Sequence, residues 1–219
     1  HNAADTQLKN LVVYNLARSA DYWDAALDIL GEMTHKPDLF MYTSAILACE
    51  TGGDWEHAIY LLDKLQKDGY KLTTVAVTSA IAACAARGKA DEALQLLAEM
   101  TTKHGLTPTL ITYNSVLSAC AKAGRWRDAF AVYEQLRQST ATTSTTGKDD
   151  VGGGLNGKNR LANSNIRRES FLKPSGGALN EYTCNIMTEM LGEAGQQALL
   201  DEVYRYAVLD GVCKPLQSI

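Results

Sequence analysis

The sequence lacks what a metal enzyme or a disulfide-stapled domain needs. It has no Cys-x-x-Cys pair, so a zinc site of clustered thiolates has no ligand set. Five cysteines, an odd number in 219 residues, do not make a disulfide framework. His1, His35, His57 and His104 are isolated, and neither His-x-Glu nor Pro-Cys-x-x-Cys, the motif pair of a zinc deaminase, occurs. Carboxylates are not clustered as metal-dependent nuclease chemistry requires, and Asp149-Asp150 lies in a glycine-rich stretch. No apolar run approaches the ~18 residues of a membrane span. Positive charge is not in surplus either: a net charge of −4 and a pI of about 5.6 exclude a basic nucleic-acid coat. Any contact with nucleic acid must come from a local surface.

What is present is a globular composition, 46% apolar and 21% charged, laid out as a repeat. Trp23-Asp-Ala-Ala-Leu27, Trp55-Glu-His-Ala-Ile59 and Trp126-Arg-Asp-Ala-Phe130 are matched segments, and Ala90-Asp-Glu-Ala-Leu94 is a fourth copy without the tryptophan. Starts at 55, 90 and 126 are 35 and 36 residues apart, as are Cys49, Cys84 and Cys120. Leu62, Leu97 and Tyr133 keep the same stride, and so do Leu65, Met100 and Leu136.

Within a unit, apolar residues recur at three and four, as in Ile59, Leu62 and Leu65, which is the helical period. Gly53, Gly88 and Gly124 fall just past the first apolar stretch, where a left-handed C-cap is wanted. Each unit therefore reads as a helix, a glycine turn and an antiparallel helix. Neither helix buries its stripe alone, so neighbours must stack into a superhelix. Residues 7–138 divide into four units, the first short with a degenerate first helix. Residues 178–216 resume the pattern, since Tyr182-Thr-Cys-Asn185 matches Ile111-Thr-Tyr-Asn114. Between them, 139–177 has seven of the 17 glycines, a Ser/Thr run and no helical stripe, which predicts a disordered insertion. The span from 110 to 180 is also about two periods, so a decayed repeat is the second reading. A chain opening on His1, not Met, reads as a fragment, a processed form or an excised segment, with any targeting peptide upstream of it.

Residues 108–136, running from Pro108-Thr-Leu-Ile-Thr-Tyr-Asn114 through Lys122-Ala-Gly124 to the Ala129 helix, resemble a pentatricopeptide repeat of the plain type. Lys36-Pro-Asp38 and Glu92-Ala-Leu-Gln-Leu-Leu-Ala-Glu-Met100 are similar to that family as well. The tetratricopeptide repeat is the nearest rival, but it places its tryptophan early in the first helix, whereas here Trp opens the second. The resemblance implies an all-α fold, a right-handed α-α superhelix of helix-turn-helix units. It implies single-stranded RNA as partner, one base per unit; from the residues themselves no catalytic group, cofactor or membrane span is expected, although some relatives carry a catalytic domain. It implies a mitochondrial or chloroplast setting, in RNA processing, stability or translation. Other classes are a protein scaffold within a ribonucleoprotein and the RNA-recognition part of a larger enzyme.

The same resemblance assigns residues. Base readout would fall to Thr43, Thr78, Asn114 and Asn185, paired with the closing residues Thr73, Thr109, Asn180 and Leu216. Base packing would fall to Phe40, Val75, Ile111 and Tyr182. Thr and Asn offer uncharged donors and acceptors, and the family's usage would make Thr favour purines and Asn pyrimidines. Taken singly, each of these Thr and Asn residues could instead cap a helix. The cysteines and tryptophans read as packing residues. In units one to four the first helices carry Lys9, Arg18, Arg87 and Lys122 against Glu50, a balance of +3. The second helices carry ten acids against three bases, −7. A groove lined by first helices would thus keep the negative charge outside, with weak RNA binding and a shallow salt dependence.

Overall fold

The computed structural model describes residues 2–17, 23–31, 36–143, 180–209 and 212. Ten α-helices occur among them and no strand: α1 (Asn2–Ala17), α2 (Trp23–Gly31), α3 (Leu39–Gly52), α4 (Trp55–Lys67), α5 (Thr74–Ala86), α6 (Ala90–Thr102), α7 (Leu110–Lys122), α8 (Trp126–Thr143), α9 (Glu181–Glu193) and α10 (Gln197–Leu209). They form five hairpins.

Local sequence accounts for the boundaries. Asp38, Thr73, Thr109 and Asn180 are N-caps: each side chain accepts the backbone N–H three residues on, satisfying an orphan donor of the first turn. The glycine between the two helices of a hairpin has φ of 66° at Gly53, 65° at Gly88, 67° at Gly124 and 66° at Gly195, the left-handed geometry in which side chains are strained. Two boundaries differ from expectation. The first helix begins at Asn2, ahead of residue 7, and α8 runs on to Thr143, so the expected boundary at 139 falls inside a helix. Residues 144–179, and with them most of the expected insertion, lie outside the described residues.

Packing separates the two helices of each unit. Second helices bury one stripe, as in Ala58, Leu61, Leu62 and Leu65 of α4. First helices are buried on most faces; α3 buries Met41, Tyr42, Ser44, Ala45, Ile46, Ala48 and Cys49. The row α1, α3, α5, α7, α9 packs helix on helix in that order, while α2, α4, α6 and α8 pack on the first helices beside them and not backbone to backbone on each other. A tight row beside a wider one curves the stack, with first helices on the concave side. Small residues permit the close row: Ala45, Ala48 and Cys49 recur as Ala80, Ala83 and Cys84, all with no exposed surface. Burial pushes the Cys49 and Cys84 thiols up to about 12 and Cys120 to about 11, far from a reactive thiolate.

Because α9 packs on α7, the fifth unit stacks on the fourth.

Candidate nucleic-acid interface

Phe40, Val75, Ile111 and Tyr182 occupy the second position of α3, α5, α7 and α9. They are 49%, 62%, 70% and 54% exposed, although large apolar side chains elsewhere on these helices are buried or half-buried. Stacked helices lie ~8–10 Å apart, so this register sets a row of apolar side chains along the concave wall, one per unit. Phe40 also meets Tyr14 of α1, ring centroids 5.7 Å apart.

Three residues further on, and so on the same helix face, stand Thr43, Thr78, Asn114 and Asn185. None is a cap, since the caps lie five residues before them. The capping that sequence alone allowed at these positions is performed by Asp38, Thr73, Thr109 and Asn180 instead. Thr73 and Thr109, assigned by resemblance to base readout, therefore already hold the helix starts through Ala76 N–H and Thr112 N–H. Thr43 donates to the Leu39 carbonyl of its own helix at 2.8 Å. Asn185 is exposed. Residue 216 lies outside the described residues.

Asn114 is 7% exposed and forms part of the lining of a cavity of about 480 Å³. Ile111, Tyr182, Glu50, Ser118 and Lys122 share that lining, and the volume suits a small-molecule-sized guest. Asn180 lies beside Asn114, amide to amide at 3.5 Å, so Asn180 stands to unit four as Thr109 stands to unit three. Buried hydroxyls that sequence reasoning missed link these residues. Thr112 lies 2.8 Å from Thr78 and 3.1 Å from Thr109, oxygen to oxygen. Thr183 donates to Asn114 Oδ1 at 2.6 Å and lies 2.7 Å from Asn180 Oδ1. Their only signal was the shared Thr in Ile-Thr-Tyr-Asn and Tyr-Thr-Cys-Asn.

Electrostatics add detail. Lys122 donates to the Ala86 carbonyl at 3.3 Å and Arg87 to the Gly53 carbonyl at 3.2 Å, so both tie down the C-terminal end of the preceding first helix. The charge split does not extend to unit five: α9 carries Glu181, Glu189 and Glu193 and no base. Burial raises the Glu50 carboxyl above its ordinary value, opposed by a hydrogen bond from Ser79. His57, expected to be isolated, lies 2.7 Å from Asp54, the cap of α4. Among the described residues no group of three or more His, Cys, Asp or Glu is placed to hold a metal, and no helix is long and apolar enough to cross a membrane.

Five stacked helical hairpins with a periodic concave wall define an α-solenoid repeat protein. Models of the pentatricopeptide repeat domain match residues 60–123, and of the single repeat residues 40–70 and 111–139; the chain carries pentatricopeptide repeats over that stretch. Similar proteins include a pentatricopeptide repeat-containing protein of Arabidopsis thaliana, 29% identical over 105 residues, 48% of this chain and 15% of that one. A putative one from the same plant is 26% identical over 191 residues, 82% of this chain and 27% of its own length. The chain thus spans about a quarter or less of such relatives. Among solved structures, the PPR domain of Arabidopsis protein-only RNase P 1, in complex with tRNA, superposes with a TM-score of 0.64 at 11% identity, covering 97% of this chain and 91% of that one. PPR10 of maize, in complex with an 18-nucleotide psaJ RNA element, gives 0.54 at 20% identity, covering 98% and 29%. Both likenesses concern the fold.

Proposed function

We propose that this solenoid binds single-stranded RNA along its concave wall, one nucleotide per unit. The observation that carries the reading is the row Phe40, Val75, Ile111 and Tyr182, exposed at one register beside a second row of uncharged polar residues. A nucleobase offers a flat apolar face and a polar edge. The first row supplies surfaces for the face and the second supplies donors and acceptors for the edge. At unit four, Ile111 and Tyr182 share the cavity in which Asn114 lies. The bound RNA of the two solved complexes named above supports the choice of ligand. In this reading Thr43 with Thr73 and Thr78 with Thr109 take purines, and Asn114 with Asn180 and Asn185 with its own closing partner take pyrimidines.

The described repeats recognise RNA and do no chemistry on it. The setting is organellar, in the processing, stability or translation of a transcript; one relative, 27% identical over 100 residues, is named as mitochondrial. Filter binding of the chain to random-sequence single-stranded RNA, with Thr78→Ala and Asn114→Ala alongside, tests the reading. Both variants should lose affinity while staying folded. Unchanged binding in both would instead favour a protein scaffold.

A further inference from the structure

A reading residue discriminates only if its donor and acceptor are held in place. A free threonine hydroxyl rotates to suit any partner, and an asparagine amide that can flip offers either end. The second row is held unequally from unit to unit. In unit four, Asn180 Oδ1 accepts the Thr183 backbone N–H at 2.9 Å, which fixes that end of Asn180 as oxygen. The Thr183 hydroxyl stands between the two amides, donating to Asn114 Oδ1 at 2.6 Å. With its oxygen engaged on the α9 side, Asn114 keeps Nδ2, whose nearer partner is Asn180 Oδ1 at a long 3.5 Å. The same Thr183 hydroxyl lies 2.7 Å from Asn180 Oδ1, so the Asn114 amide is held against Asn180 through Thr183. In unit three, Thr112 receives the Thr109 backbone N–H at 3.1 Å and joins the Thr78 and Thr109 hydroxyls in one cluster. Thr112 and Thr183 have no exposed surface, so neither touches a ligand itself. Unit two is the contrast. The equivalent position is Ala76, which has no hydroxyl, and Thr43 turns back to its own helix.

We propose that Thr112 and Thr183 are positioning residues for base selection: each, from the first helix of the following unit, locks the reading residue to the closing residue of the unit before it. Selectivity at one unit is then set partly by a buried residue of the next. Unit four reads through an amide held in place, and unit two lacks the device. This rests on the RNA reading above, and it adds a residue that contacts no base.

Selection from a random single-stranded RNA pool by the wild-type chain, Thr183→Val and Thr183→Ser is the test. Valine keeps the shape and loses the hydroxyl; serine keeps the hydroxyl. The valine variant should retain its helical circular dichroism and lose about three- to tenfold of the base bias at unit four's nucleotide, the worth of one ordinary hydrogen bond. Bias at neighbouring nucleotides should persist, and serine should restore the lost bias. Full bias in the valine variant, or an equal fall at every nucleotide, would overturn the assignment while leaving RNA binding intact. A wild-type chain that selects no base at any position would overturn the RNA reading and this assignment together.

Discussion

Glu50 is the only acidic side chain on α3, α5 and α7, and it borders the cavity that Asn114 and Lys122 also line. A carboxylate there opposes an incoming phosphate chain, and its half-burial disfavours its own charge. Its folded-state pKa is raised above the ordinary 4.5, so the folded chain holds that proton more tightly than the unfolded chain. The resulting cost to stability is absent below the unfolded value and fully present once pH exceeds the raised one. Glu50→Gln should therefore raise the melting temperature at pH 7 and tighten RNA binding. Wild-type affinity should climb as pH falls toward the raised pKa, while the variant stays flat across that window. Parallel pH profiles for the two proteins would show that Glu50 titrates normally and away from the bound chain.

At the scale of the element, the hairpin turns are demanding. Gly88 has φ 65°, and a Cβ there would sit 3.2 Å from the Lys122 Cβ of the next unit; Gly124, at 67°, faces open space. Both would suffer the left-handed strain of about 1–2 kcal/mol on substitution by alanine. Gly88→Ala should cost more, because it also pushes on the neighbouring unit. Thermal melts of the two variants check this, and equal losses would mean that Lys122 gives way freely. These turns were legible in the sequence because glycine recurs at the repeat stride just past each apolar stretch, and helix starts after the first helix were legible to about a residue. The continuation of α8 through Thr143 was not, since Ser139-Thr-Ala-Thr-Thr143 offers no apolar stripe. The rows of the wall were legible through the resemblance alone. The capping by Thr73 and Thr109, and the buried Thr112 and Thr183, depend on how closely one hairpin sits on the next. A threonine between apolar neighbours carries no such information in one dimension.

For the whole molecule, the stack is held by contacts that cross from unit to unit. Lys89 lies 4.5 Å over the Trp55 ring, and Arg125 bridges Asp91 of the preceding unit and Asp128 of its own. Lys89 and Arg125 are thereby engaged in stacking. Arg87 and Lys122 hold helix ends, and α9 brings three acids to the far end of the wall. Along the described first helices few cations remain for phosphates, so the logarithm of RNA affinity should fall with the logarithm of salt with a slope below about five in magnitude. A steeper slope, measured by titration between low and physiological salt, would place the bound RNA on a more basic surface than this wall.

The central claim is that each hairpin reads its own nucleotide through the residue three positions beyond its exposed apolar side chain. Its most direct test is random-pool selection by the chain carrying Asn114→Thr beside the unaltered chain. The account predicts that preference at unit four's nucleotide turns from pyrimidine to purine while the nucleotides of units two and three keep theirs. A preference unmoved at that nucleotide, or altered along the whole RNA, would contradict it.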